Sequence, residues 1–236
     1  MKRLIYQITE NLLPPSNLWG VSIYFDLIQY KAFRNNHPFF NQEKKVNDLI
    51  VEQILKFETK NFIDIGSNVG IHGFSIAKKF KDLNVFNFEP NPRLIRLQRK
   101  TLKKNKIKNL KIFNVALNNN EGFFDFYLDK VSTGESSLVK LEGLTRKIRV
   151  QSKRLDQFDF SGCIGMKIDV EGNEFNVIKG IKNFKSIDWI IVEINQTFLS
   201  HSNISSKEII KHLEEKDFKL NLNKSIDNNF LFLKND

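Results

Sequence analysis

Apolar positions along this chain change their spacing several times, and each change marks an element. Residues 1 to about 40 show no strand–helix alternation. They carry Pro14 and Pro15 and aromatics at Trp19, Tyr24, Phe25, Tyr30, Phe33, Phe39 and Phe40. One or two short helices docked through these rings are expected, an N-terminal helical extension (1–40) covering the core. From Asn41 the pattern is regular. NQEKKVNDLIVEQILKF puts Val46, Leu49, Ile50, Gln53, Ile54 and Phe57 on one helical face. NFIDIG reads as a short buried strand ending at Gly66, and VGIHGFSIAKKF as the helix after it. LNVFNFEP is a second strand closed by Pro90, NPRLIRLQRKTLKKN its helix, and LKIFNVAL a third strand. Strands alternating with helices predict a parallel sheet with right-handed crossovers.

The rhythm then breaks. NNNEG at 118–122 is a turn signal before the alternating run GFFDFYLDK, which predicts an antiparallel excursion. STGESS at 132–137 is a small-residue loop, and TRKIRVQSKRLDQF reads as an exposed strand followed by a turn. The βα alternation resumes with CIGMKIDVEG, the helix NEFNVIKGI and the strand SIDWIIVEIN. SSKEIIKHLEEK is a helix capped by Ser205 or Ser206. FKLNLN and FLFLKN form a closing antiparallel pair. No repeat or low-complexity linker interrupts 41–236, which reads as one domain.

Composition narrows the class. A chain of 236 residues with 41% hydrophobic positions suits one α/β domain with an extension. Its single cysteine, Cys163, excludes an internal disulfide and fits a reducing, cytoplasmic setting. No apolar run reaches the roughly 18 residues of a membrane helix. The apolar stretch of MKRLIYQITE is too short and broken for a signal peptide. The net charge of +10 has two readings: an anionic partner, or a genome whose A/T-rich codons favour Lys, Asn, Ile and Phe. The basic helix presents Arg93, Arg96, Arg99, Lys100, Lys103 and Lys104. A solvated face is its first reading, an anionic glycan, nucleotide-sugar or peripheral membrane surface the second, nucleic acid the third.

Ligands of open parallel sheets bind beyond the carboxyl ends of the strands, and those ends carry the chemistry here. In order they read Asp64-Ile-Gly66-Ser-Asn68-Val-Gly70, Glu89-Pro-Asn91, Asn114-Val-Ala116, Asp169-Val-Glu171-Gly172 and Glu193-Ile-Asn195. The first loop lacks both the GxGxxG spacing of dinucleotide folds and the GK[ST] ending of a P-loop. An acid two positions before Gly66 would repel a phosphate and suits a cationic or hydroxyl-bearing ligand. Glu89 has the position and chemistry to grip two ribose hydroxyls. A glycine loop with a leading acid, then an acid after the next strand, is the pattern for S-adenosylmethionine.

Together FIDIGSNVGIHGFSIAKKF, VFNFEPNP, NVAL with NNNEG, GESSL, SKRLDQF, KIDVEGNEFNVIKG and IIVEIN resemble the FkbM family of S-adenosylmethionine-dependent methyltransferases, over roughly residues 45 to 195. The resemblance implies a class I methyltransferase fold: a Rossmann-like α/β, mostly parallel seven-stranded sheet with helices on both faces and the last strand antiparallel. It also implies methyl transfer to hydroxyls of sugars, glycans or secondary metabolites. By motif position, Asp64, Gly66, Asn68 and Gly70 fall at the methionine moiety and Glu89 at the ribose, with Asn91 beside it. Asn114, Ala116 and Leu117 fall near the adenine. A second Asp often follows the first in RLDQF; Gln157 stands there, a departure that weakens any role assigned to that position.

An alcohol acceptor must lose a proton, so a base within reach is needed. Asp169 and Glu171 end the fourth strand; in extended backbone both face one side. Asp169 is expected near donor and acceptor, and Glu171 as base, substrate clamp or helix cap. His72, Glu193 and Asn195 are candidate substrate contacts, with packing the plainer role for His72. His37, His201, His212 and Cys163 lack metal-ligand spacing, so no metal is expected. The acceptor pocket is expected from residues 1–40, the 130–146 loop and 196–206. Alternatives are a methyltransferase of RNA or protein, and a scaffold with a disused pocket. The oligomeric state is left open.

Overall fold

The computed structural model describes residues 13–25, 38–128, 136–138, 146–201 and 204–235. The chain opens with a two-stranded ribbon, β1 (Ser16–Leu18) and β2 (Val21–Ile23), paired antiparallel. This corrects the helical reading of that stretch. Trp19 and Gly20 both take left-handed angles, φ 50 and 82, as a tight two-residue hairpin turn requires. The ribbon docks on a later helix by polar contacts: Ser22 donates to and accepts from the Asn105 amide, and the Tyr24 N–H donates to Thr101 Oγ1. Residues 1–12 and 26–37 of the expected extension lie outside the described residues.

Helix α1 (Pro38–Lys56) begins three residues before the regular pattern. Then follow β3 (Asn61–Ile65), α2 (Ile71–Lys79), β4 (Asn84–Phe88), α3 (Pro92–Asn105) and β5 (Leu110–Phe113). LKIFNVAL is not one strand. It breaks at Asn114, and β6 (Ala116–Leu117) leaves the main sheet for a smaller one with β7 (Gly122–Leu128) and β8 (Arg146–Lys153). A 3₁₀ turn at Leu155–Gln157 leads to β9 (Ile164–Ile168), α4 (Glu174–Lys179), β10 (Ile187–Glu193), α5 (Gln196–His201) and α6 (Ser206–Glu214). Ser205 caps α6: its hydroxyl accepts from the Glu208 N–H while Glu208 reaches back to the Ser205 N–H. β11 (Phe218–Ile226) and β12 (Asn229–Lys234) close the chain.

The main sheet has seven strands in the order β11-β12-β10-β9-β3-β4-β5. Neighbours from β5 to β10 run parallel, and β12 is antiparallel to both β10 and β11. Helices cover both faces, as expected. On one side Val46 and Ile50 of α1, Phe74 of α2 and Leu97 of α3 pack with Phe62, Trp189 and Leu231. On the other, Val177 of α4 and Ile209 and Leu213 of α6 pack with Ile63, Met166, Ile190 and Phe232. Residues of opposite parity along each strand thus feed two separate cores, which is why the parallel strands read as unbroken apolar runs. The basic side chains Arg96, Arg99, Lys103 and Lys104 of α3 face outward, while Leu94, Leu97, Gln98 and Thr101 are buried.

Trp189, fully buried, donates from Nε1 to Thr59 Oγ1 at 3.0 Å and lies flat against Gly165 on the adjacent strand. A Cβ at position 165 would fall 2.1 Å from the indole ring. Gly165→Ala should therefore lower stability by about 1–3 kcal/mol through overpacking, read as a lower urea midpoint with an unchanged slope. Leu222→Ala, at a 66%-exposed position, is the control and should cost less than about 0.5 kcal/mol. Equal midpoints for the two variants would contradict the packing described.

Candidate active site

Strand order reverses between β3 and β9, so their carboxyl ends splay into a crevice. Gly66 sits at that point with φ +79, and a Cβ there would lie 1.7 Å from the Asp169 carbonyl oxygen. Only glycine permits both the angle and the approach. The Gly66 and Ser67 N–H groups donate to Phe88 O, and the Asp169 N–H donates to Ile65 O. Three strand ends are thereby crimped together. Gln98, reaching up from α3, donates from Nε2 to Ser67 Oγ at 2.9 Å and to Asn68 O at 2.7 Å, which sets the loop's shape.

Glu89 follows β4 and is buried. Its carboxylate accepts from the Asn68 N–H at 2.9 Å and the Asn91 N–H at 2.7 Å. Burial nevertheless dominates and pushes its pKa up to about 8. The Asn91 side chain caps α3 by accepting from the Arg93 N–H, and Asn114 donates to the Glu89 and Pro90 carbonyls. Both asparagines brace Glu89 rather than line the crevice.

Beneath the loop lies a cluster of charges. The Lys167 side chain, 4% exposed, extends from β9 with Nζ 2.7 Å from Asp169 Oδ2. Burial alone would pull its pKa down, but the carboxylates of Asp169, Glu43, Asp64 and Glu193 together raise it. Asp169 is held below the usual carboxylate range because Lys167 outweighs its burial. Glu193 is driven the other way, to about 9, first by the Asp169 charge and then by burial. Asp64 is buried under the loop, where Oδ2 accepts from the Gly73 N–H and burial raises its pKa. His72 Nε2 lies 2.6 Å from Glu43 Oε2, and its ring packs against Trp19 of the ribbon, centroids 5.8 Å apart.

The cleft above encloses about 810 Å³ including its mouth. Its lining includes the apolar side chains of Phe88, Val115, Ala116, Leu117, Phe126 and Leu138. Phe88 is backed there by Phe113 and Phe158, at 4.8 and 4.9 Å between centroids. The cleft also carries the carboxyl groups of Glu43, Glu89, Asp169, Glu171 and Glu193. No lysine or arginine lines it among the described residues. Gly66, Asn68, Glu89, Ala116, Leu117, Asp169, Glu171 and Glu193 thus meet in one cleft. Asp64, Gly70, His72, Asn91, Asn114 and Asn195 are not on its lining; Asn195 instead accepts from the Thr197 N–H at the start of α5.

Two local expectations change. Glu171 is not in extended backbone; its φ is +55, a left-handed turn that aims it at the cleft by a different route. Its carbonyl accepts from Ser137 Oγ at 2.6 Å, pinning the segment 136–138 to the rim. The acid at the start of α4 is Glu174, which accepts from the Gly172 and Val170 N–H groups; burial raises its pKa to about 7. Glu43, Lys167 and Gln98 went unassigned in the sequence. Lys167 carries a signal, since Lys-x-Asp places both side chains on one strand face. Glu43 and Gln98 carry none, being polar residues of amphipathic helices. Of the expected acceptor segments, 129–135, 139–145 and 202–203 lie outside the described residues.

The strand order and the crevice are those of the class I methyltransferase fold. Residues 64–220 match the model of the methyltransferase FkbM domain, and the chain belongs to that family. A hexuronic acid methyltransferase, AglP of Haloferax volcanii, is 30% identical over 158 residues, 64% of this chain and 60% of that protein. The match thus spans less than two thirds of that relative's length. Among solved structures, the SAH-bound methyltransferase PaMTH1 of Podospora anserina superposes with a TM-score of 0.56 at 10% identity, over 88% of this chain and 86% of that one. That likeness concerns the fold. No described helix is long and apolar enough to cross a membrane.

The raised carboxyls set a pH dependence. Glu174, Glu89 and Glu193 keep protons in the folded chain up to about 7, 8 and 9, whereas unfolded glutamates release theirs near about 4.3. The folded state then binds more protons, so their contribution is complete below the unfolded value and is lost as pH rises through the folded ones. Asp169, lowered, acts oppositely and only in the acid range. Thermal midpoints should fall between about pH 5 and pH 9, and Glu193→Gln should flatten that fall. A midpoint rising with pH over this range would contradict the assignment.

Proposed function

We propose that this chain transfers a methyl group from S-adenosylmethionine to a hydroxyl oxygen of a sugar or glycan intermediate. The observation that carries this reading is the arrangement of Glu89 and Asp169 on the walls of one crevice, with Gly66 between them. The residues fit the donor. The apolar lining suits a flat adenine, and each Glu89 oxygen, bonded once to backbone, keeps a lone pair for ribose hydroxyls. The acids on the lining suit a cationic sulfonium and amine and repel phosphates. Asn173 also lines the cleft, and its buried Nδ2 has no protein partner, so a ligand acceptor would satisfy it.

When bound, the donor supplies an electrophilic methyl whose bonding pair stays on sulfur as it leaves. The chain's work is positioning and proton removal. The crimped loop fixes the walls, and well-oriented pairs reach effective molarities of about 10⁵ M or more. Asp169, ionised and on the cleft lining, takes the proton that an acceptor hydroxyl loses. The sugar acceptor is supported by family membership and by the name of the AglP relative. Lone Cys163 fits a reducing, cytoplasmic setting.

Calorimetric titration with S-adenosylmethionine and S-adenosylhomocysteine, with NAD as control, tests the reading; binding of NAD alone would overturn it. Glu89→Ala should weaken S-adenosylmethionine at least about tenfold with the fold intact, the loss of roughly 1.4 kcal/mol. Asp169→Asn should bind the donor but lose about 10²–10⁴ in turnover on a responsive sugar acceptor. Full turnover in Asp169→Asn would remove the base assignment.

A further inference from the structure

Lys167 and Asp169 stand two residues apart on β9 and meet at 2.7 Å. The neighbouring strand is in register, Val192 beside Ile168, so the next residue of β10, Glu193, comes beside Asp169. On the other side, β3 sets Asp64 beside Lys167. Two carboxyl groups set side by side at adjoining strand ends within a half-buried site do not both ionise. One proton therefore belongs to the pair, and Lys167 decides which member stays charged.

We propose that Lys167, Asp169 and Glu193 form one proton-sharing unit at the cleft: neutral Glu193 donates a hydrogen bond to Asp169, Lys167 positions ionised Asp169, and the pair takes up the proton that the acceptor releases. The last clause rests on the function proposed above; the first two rest on geometry alone. The groups facing the unit are Asp64 from β3, Glu43 from α1, His72 from α2, Glu89 after β4 and Glu174 at α4. At rest the pair holds one negative charge against the Lys167 ammonium. In transfer the acceptor O–H bond breaks, its electron pair remains on oxygen to form the new O–C bond, and the proton goes to Asp169. Both carboxyls then end neutral beside the ammonium. Lys167 touches no reacting atom and is a positioning residue. Glu193 lines the cleft and keeps the unit from carrying two negative charges.

Infrared difference spectra of the unliganded full chain read the protonation directly and need no acceptor. At about pH 8 a neutral carboxylic-acid carbonyl band from Glu193 is expected, and Glu193→Gln, nearly isosteric, should abolish it. Lys167→Met should roughly double the acid signal of the pair, because Asp169 then also takes a proton, while Lys167→Arg should keep the wild-type pattern. A spectrum unchanged by Glu193→Gln, or identical spectra for Lys167→Met and Lys167→Arg, would overturn the unit. If Lys167→Met does not fold, Glu193→Gln decides alone. A parallel S-adenosylmethionine titration separates the two ideas. Donor binding with no Glu193 band defeats the unit and leaves the function. A Glu193 band with no donor binding supports the unit's geometry and defeats the function.

Discussion

Everything at the site depends on how closely β3 and β9 approach at their carboxyl ends. The Asp169 carbonyl occupies the space where any side chain at position 66 would begin, and the Asp169 N–H is tied to Ile65 O. That contact converts two adjacent strand ends into a single rim. Backbone hydrogen bonds hold the strand ends, and buried side chains complete the site: Gln98 under the glycine loop, the Glu89 carboxylate on the Asn68 and Asn91 N–H groups, and Lys167 against Asp169. A site built this way gives up little order when ligands bind, which is how preorganised positioning lowers a barrier.

The electrostatics of the rim follow from its burial. Several carboxyls are gathered where water cannot screen them, and one buried ammonium cannot neutralise them all. The surplus is resolved by protonation: Glu89 and Glu193 are pushed up, while Asp169, next to Lys167, stays charged. Such an arrangement is a weak source of stability. The ribbon contributes at a distance. Trp19 packs on His72, and His72 contacts Glu43 on the cleft lining, so the N-terminal ribbon is connected to the cleft.

The βα alternation, the strands' buried runs and the carboxylates that end them were legible because each depends on neighbours in sequence. Period and parity assign a residue to a strand face without knowledge of its partner. Glu89 and Asp169 could be read from position alone, because a strand end in a parallel sheet points to the ligand side. The ribbon at Ser16–Ile23 was misread because its aromatics mask a turn signal that rests on only two residues, Trp19 and Gly20. The break in LKIFNVAL was missed because Asn114 reads locally as another strand residue, whereas its amide serves the Glu89 and Pro90 carbonyls.

What the sequence by itself determined is the sheet, its covering helices and the identity of the acids at the strand ends. Tertiary structure alone decided which polar residues serve the cleft and which merely brace it. Asp64, Asn91, Asn114 and Asn195 have the right types and positions, yet their hydrogen bonds go to the protein. Glu43, Lys167 and Gln98 acquire roles only through contacts with elements distant in the chain. The reason is physical: a side chain's proton affinity and its hydrogen-bond partner depend on the charges and burial around it. Those are properties of neighbours in space, which a one-dimensional pattern does not contain.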